Sequence, residues 1–260
     1  MNSKIIIGTA KFGNSDYGFS SSEEHLSSSE MLCMADELGI EILDTSPRYG
    51  NAEKLIGDYH LRNDKRFRIC TKIDNLIPNN PSNEKKIYSS VRNSIRQTNI
   101  DCIETLYLHQ NDLEIISDKN IIRSLSKIKN DGLVKKLGVS VYSHEECEFA
   151  LTSDIYDVIQ LPISILDSHI YSSLIKKGVD KEIVARSVFL QGVLFNRNNI
   201  HAEIKQAEDL FRSISVIDSL VRKYKTDLLT LACTFVSTLK EVNYMIVGTT
   251  CSKHLSNIVN

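Results

Sequence analysis

The chain reads as an α/β protein of the (β/α)8 TIM barrel class, on three observations. Eight short apolar or β-branched runs recur along it, each the length of a strand. Apolar stripes with helical spacing separate them, and 260 residues is a usual length for such a barrel. The runs are continuous rather than alternating, as expected of parallel strands covered on both faces. The competing fold is a doubly wound open sheet, which announces itself by a Gly-x-Gly-x-x-Gly turn after the first strand. The segment Gly8-Thr9-Ala10-Lys11-Phe12-Gly13 does not fit that turn.

Strands are expected at residues 4–8, 40–44, 67–73, 103–109, 137–141, 156–161, 182–186 and 244–247. Met31, Leu32, Ala35 and Leu38 mark the first helix, and Ser27 with Glu30 offers it a capping box. Gly50 releases the chain after the second strand into another helix. Ile87, Tyr88, Val91 and Ile95 mark a third, and Ile121, Ile122, Leu125 and Ile128 a fourth that stops near Gly132. Ser143 and Glu146 form a second capping box, ahead of Ala150 and Leu151. Ile170, Tyr171, Leu174 and Ile175 follow, then the longest stripe, from Leu210 to Tyr224. Leu228, Leu231, Ala232, Phe235 and Leu239 precede the last strand. No linker or sequence repeat divides the chain, so residues 1–260 are expected to form one domain.

Composition excludes several partners. A formal net charge of -2 gives no basic excess for a nucleic acid or a membrane surface. No apolar run approaches the ~18 residues of a membrane span. The apolar run at residues 5–7 is too short for a signal-peptide core. The cysteines (Cys33, Cys70, Cys102, Cys147, Cys233 and Cys251) are scattered with no Cys-x-x-Cys pair. They read as reduced thiols of a cytoplasmic protein, with no metal site.

In a barrel of this kind the active site lies where strands hand over to the loops that follow them. The second strand ends at Asp44, and Tyr49 stands five residues on, in the loop. The third ends at Thr71-Lys72 and the fourth at Leu108-His109. A free phenol has a pKa near ~10 and transfers protons poorly at neutral pH. A nearby ammonium, Lys72, would stabilise the phenolate, and a carboxylate, Asp44, would hold the lysine charged and oriented. His109 could hydrogen-bond a substrate oxygen. Together they would polarise a carbonyl and protonate its oxygen as negative charge develops there. Singly, each has an ordinary reading: a turn carboxylate, a rim tyrosine, a solvated lysine, a structural histidine. Their convergence on three adjacent strand ends favours the catalytic one.

The segment Asp44-Thr45-Ser46-Pro47-Arg48-Tyr49-Gly50-Asn51-Ala52-Glu53, with Leu55-Ile56-Gly57 behind it, resembles the aldo-keto reductase signature around the catalytic Asp and Tyr. Thr71-Lys72 is similar to the segment of the family's catalytic lysine, and Leu106-Tyr107-Leu108-His109 to that of its histidine. The resemblance runs from about Gly8 to the C-terminus. It implies a catalytic tetrad of Asp44, Tyr49, Lys72 and His109. It also implies a nicotinamide dinucleotide, usually NADPH with NADH not excluded, extended across the C-terminal face of the barrel. Leu137-Gly138-Val139-Ser140 resembles the segment whose Ser and following Asn bind the carboxamide, and Val141 stands at the Asn position. Gln160 matches the family's carboxamide-binding glutamine. Arg186 stands where many members stack an aromatic ring on the nicotinamide, and a guanidinium plane can stack as well. Ser187, Leu190 and Gln191 are implied along the pyrophosphate path. Gly248, Thr249 and Thr250, with Ser252, Lys253 and His254, resemble the loop and helix start that hold the adenosine phosphate. A helix N-terminus suits an anion there.

The function implied is reduction of a small-molecule aldehyde or ketone, with Tyr49 as proton donor. The loop after His109 is short and no long C-terminal tail is present, so an open, shallow pocket is expected. The segment from Arg186 to Gly192 resembles short bacterial members associated with surface-polysaccharide sugars, which implies a sugar or nucleotide-sugar carbonyl. Two other readings stand beside it: a regulatory barrel that binds the nucleotide without turnover, and a lyase using Lys72 as a Schiff-base amine.

Overall fold

A computed structural model of the chain describes residues 4–12, 26–177, 180–190 and 207–259. Eight parallel strands close into a barrel in chain order, each paired with the next and the last with the first. They are β1 (Ile5–Gly8), β2 (Ile42–Asp44), β3 (Arg68–Ile73) and β4 (Ile103–Leu108), then β5 (Val134–Ser140), β6 (Val158–Pro162), β7 (Glu182–Arg186) and β8 (Tyr244–Val247). The helices between them are α1 (Ser28–Glu37), α2 (Ala52–Arg62), α3 (Asn83–Thr98), the short α4 (Leu113–Ile116) and α5 (Lys119–Asn130). There follow α6 (His144–Thr152), α7 (Tyr171–Lys177), α8 (Ala207–Tyr224), α9 (Leu228–Ser237) and α10 (Ser252–Val259). The (β/α)8 expectation is met.

Both capping boxes read from the sequence are formed, at Ser27 with Glu30 and at Ser143 with Glu146. Three strand starts differ from expectation by two residues or more: β2 and β6 each start two residues later, and β5 starts earlier. Ile40 does not open β2, because its backbone N–H bonds the Ala35 carbonyl (2.9 Å) and closes α1 over Gly39, at φ 73°. β5 starts at Val134, three residues before the apolar run. Lys136 hides the strand in the sequence, yet its ammonium is paired across the barrel with Glu182 (2.7 Å).

Strand residues alternate between two cores. Outward-facing residues such as Ile7, Leu43, Ile69, Leu106 and Val139 pack against the helices in one large cluster. Inward-facing Ile6, Ile42, Cys70, Tyr107, Val158 and Val184 form a small separate cluster that plugs the barrel. Gly138 makes room for Tyr107 there: a Cβ at Gly138 would lie 2.5 Å from the Tyr107 ring. Continuous apolar strands are the outcome of burying both faces. None of the six cysteines is in a disulfide, and four of them are buried. No helix among the described residues is long and apolar enough to cross a membrane.

Candidate active site

The inward-facing residues above the plug are polar and sit at the C-terminal strand ends: Asp44 on β2, Lys72 on β3, Ser140 on β5, Gln160 on β6 and Arg186 on β7. His109 follows directly after β4, where its backbone N–H bonds the Ile73 carbonyl (2.9 Å). Strand register thus brings together residues far apart in the chain.

Lys72 is the hub. Its Nζ lies 2.5 Å from Asp44 Oδ1 and donates to the Thr45 carbonyl (2.9 Å). The pair is closed off from water, with Lys72 3 % and Asp44 4 % exposed. Burial alone pulls the ammonium pKa down, but the Asp44 carboxylate and the Tyr49 phenol outweigh it, so the net shift is upward. The ammonium hydrogen-bonds the Tyr49 side chain and lies 4.9 Å from its ring centroid. Tyr49 is carried to this point by a tight turn, closed by its backbone N–H on the Ser46 carbonyl and by Gly50 at φ 58°. Glu53 anchors the same loop from outside the barrel, where its buried carboxylate accepts from the Thr71 hydroxyl (2.7 Å).

His109 completes the rim. Its pKa is lowered by burial, and the charges of Lys72 and Arg48 lower it further. The imidazole therefore stays neutral at neutral pH. Its Nδ1 is buried without a hydrogen-bond partner, 3.7 Å from Asp74 Oδ2. An unpartnered buried ring nitrogen is costly unless another group meets it. Asp74 is ion-paired with Arg48, the residue before Tyr49.

The model of the aldo/keto reductase family matches residues 4–260. The chain belongs to the aldo/keto reductase family. Among curated relatives, it is 24% identical over 189 residues to the aldo-keto reductase YhdN of Bacillus subtilis, which covers 70% of this chain and 56% of that protein. It is 27% identical over 149 residues to D-arabinose 1-dehydrogenase of Saccharomyces cerevisiae, covering 54% of this chain and 43% of that one. The chain thus spans about half the length of these curated relatives. In fold it is similar to the glycerol dehydrogenase AKR11B4 from Gluconobacter oxydans, at 19% identity and a TM-score of 0.74, over 98% of this chain and 85% of that one.

The expected dinucleotide residues of this aldo/keto reductase fall into two groups along the rim. Ser140 and Gln160 are buried, at 1% exposure each. Gln160 turns its amide to Asp44, donating from Nε2 to Oδ2 (3.0 Å). Arg186 donates from Nε to the Ser140 hydroxyl (3.2 Å) and from Nη2 to the Val141 carbonyl (3.2 Å). Its guanidinium carbon lies over the Tyr142 ring, 3.9 Å from the centroid. Ser187 and Leu190 bracket a turn, both at positive φ (57° and 47°), which is uncommon for residues with a Cβ. Gln191 and Gly192 lie outside the described residues.

The second group follows β8, the strand next to β7 in the barrel. Gly248, Thr249 and Thr250 lead into α10, whose first turn carries Ser252, Lys253 and His254. Thr249 Oγ1 accepts the Cys251 backbone N–H (3.1 Å) and shapes this entry. Among the described residues no cluster of His, Cys, Asp and Glu could hold a metal ion.

Three participants escaped the sequence reading. Tyr142, Asp74 and the Thr45 carbonyl carry no motif of their own. Their signal was positional: each stands within two residues of a strand end already picked out.

Proposed function

We propose that this aldo/keto reductase reduces the carbonyl group of a small aldehyde or ketone with NAD(P)H. One observation carries the reading: Lys72, buried with Asp44, is held by that carboxylate at 2.5 Å on one side and reaches the Tyr49 phenol on the other. A nicotinamide dinucleotide held along the rim would supply the hydride for the carbonyl carbon. Tyr49 hands its proton to the carbonyl oxygen, and Lys72 stabilises the phenolate left behind. Asp44 keeps Lys72 charged and aimed at the phenol. The neutral His109 offers a ring nitrogen to the same oxygen.

The rim residues fit a dinucleotide. The flat Arg186 guanidinium, backed by Tyr142, suits stacking on a nicotinamide ring, and Ser140 beside it suits the carboxamide. Ser187 and Leu190 would border the pyrophosphate path. Gly248, Thr249, Thr250 and Ser252 would place backbone N–H groups toward the adenosine phosphate at the start of α10. Lys253 and His254 favour NADPH over NADH through its 2′-phosphate. Gln160, paired in register with Ser140, would share the carboxamide with it. On the substrate side, the Asp74–Arg48 ion pair beside His109 makes a polar wall. That wall suits a hydroxylated carbonyl compound such as a sugar.

The test is dinucleotide oxidation with a panel of aldehydes and keto-sugars, comparing the wild-type chain with Tyr49→Phe. Wild-type turnover with a loss of about a hundredfold or more in the variant is expected. Equal rates for the two proteins would remove Tyr49 as proton donor. Fluorescence titration should show NADPH binding tighter than NADH, and comparable affinities would remove Lys253 and His254 from the phosphate site.

A further inference from the structure

We infer that Arg48 is a positioning residue for His109: it occupies the Asp74 carboxylate, which would otherwise bond the imidazole and make His109 an acid competing with Tyr49. The inference rests on the tetrad reading above. β3 and β4 run side by side with Ile73 opposite Leu108, so Asp74 and His109 are the next residues out of the same two strands. The His109 backbone N–H on the Ile73 carbonyl (2.9 Å) fixes them as neighbours. The Asp74 carboxylate could then take either the ring or Arg48. Its Oδ2 lies 3.7 Å from His109 Nδ1, beyond hydrogen-bond reach, and is ion-paired instead with Arg48 Nε. Its Oδ1 accepts from Asn75 Nδ2 (2.6 Å), and Asn75 Oδ1 in turn accepts from Arg48 Nη2 (3.4 Å). Arg48 is thus tied at two points to the turn that follows β3. Its own backbone N–H on the Ser46 hydroxyl (3.2 Å) ties it to the loop of Tyr49.

Relative acidity gives this arrangement its consequence. An imidazolium, with an ordinary pKa of about 6.5, is a far stronger acid than a phenol at about 10. A charged His109 would give its proton to the carbonyl oxygen ahead of Tyr49, and would stand like-charged beside Lys72. A carboxylate bonded to Nδ1 is what would hold that charge on the ring. Among the described residues the charges that act on His109 fall into two opposed pairs, Asp44 with Lys72 and Asp74 with Arg48. The neighbouring Gln110 adds none and turns its amide to the Leu76 backbone. Each carboxylate that would charge the ring has its own cation, and burial then keeps the ring neutral. Folding stability does not account for the pair: the Arg48 side chain is 55% exposed, and a pair so open to water contributes little.

The experiment compares Arg48→Gln, Asp74→Asn and the double variant in the full chain carrying labelled histidine. The imidazole titration is followed by NMR, with His109→Gln identifying its signal. Arg48→Gln releases Asp74 to the ring and should raise the His109 midpoint by about one pH unit, a tenfold gain in proton affinity. Asp74→Asn should lower the midpoint. The double variant should return to within about half a unit of the wild type, because both opposed charges are gone. A merely structural role would not move the two single variants in opposite directions. Unmoved midpoints, or shifts of the same sign, overturn the inference. So does a rise in carbonyl KM beside an unmoved titration, which would leave the pair as a substrate wall alone. Should one single variant not fold, the sign of the other's shift decides.

Turnover reads the same change. In the Tyr49→Phe background, adding Arg48→Gln should raise activity about tenfold on the acid side of the new midpoint, because the imidazolium supplies the proton that phenylalanine cannot. No recovery there overturns the inference. Full activity of Tyr49→Phe by itself overturns the proton-donor reading and this inference with it. An inactive Tyr49→Phe beside an unmoved His109 titration overturns this inference alone.

Discussion

The Arg186 guanidinium carbon lies over the Tyr142 ring, 3.9 Å from its centroid, while its nitrogens donate to the Ser140 hydroxyl and to the Val141 carbonyl. The side of the guanidinium away from Tyr142 is the surface we assign to the nicotinamide. Arg186→Lys keeps the charge and loses the plane, so it should weaken NADPH binding about tenfold. Tyr142→Ala removes the backing ring, worth about 1 kcal/mol as a cation–π contact, and should weaken binding by a few-fold. Fluorescence titration measures both. Unchanged affinity in Arg186→Lys would mean that the nicotinamide does not stack there.

Removing one partner of the Asp44–Lys72 pair should cost stability as well as activity. Asp44→Asn leaves a buried ammonium without its counter-charge, a loss of about 3–5 kcal/mol. Lys72→Met in the same chain removes the stranded charge, so the double variant should recover much of that stability while staying inactive. Urea unfolding of the two single variants and the double decides this. A double variant less stable than Asp44→Asn would contradict it.

Gly57 on α2 packs directly on the backbone of α3: a Cβ there would lie 2.0 Å from the Gln97 carbonyl oxygen. Backbone cannot yield as a side-chain tip can, so the two helices must separate. Gly57→Ala should destabilise the chain by about 1–3 kcal/mol, despite the higher helix propensity of alanine. Because α2 continues the loop that carries Tyr49, turnover should fall too. Thermal unfolding with a parallel activity assay checks both.

His60 sets a pH window for stability. Its Nδ1 donates to the Thr98 carbonyl (2.7 Å) and its Nε2 accepts the Phe67 backbone N–H (3.1 Å), which fixes the neutral ring. Burial lowers its pKa below the ordinary 6.5, and the bond to Thr98 offsets this only in part. The unfolded chain therefore takes up the proton first as pH falls. Stability from His60 is complete above pH 6.5 and is lost as pH falls through the depressed folded value. His109, also lowered, adds to the same trend. Melting temperature should be level above neutrality and decline below pH 6.5, with a shallower decline in His60→Gln. An equal decline in the variant would show that other groups govern the acid limb.

Much of this was legible in the chain itself. The eight strands, the two capping boxes and the strand-end positions of Asp44, Lys72 and His109 follow from local periodicity and turn chemistry, which act over a few residues. The start of β5 was not legible, because Lys136 reads as solvated until Glu182, 46 residues on, appears opposite it. Nor were the partners of Gln160 and Arg186. A strand-end glutamine has the same local signature whether it faces a ligand or a carboxylate, and only closure of the barrel brings β6 across to β2. The sequence by itself determined the fold class, the family and the four polar groups of the rim. The tertiary structure decided which of those groups touch, since contacts across a barrel depend on register and on the space left by residues such as Gly138.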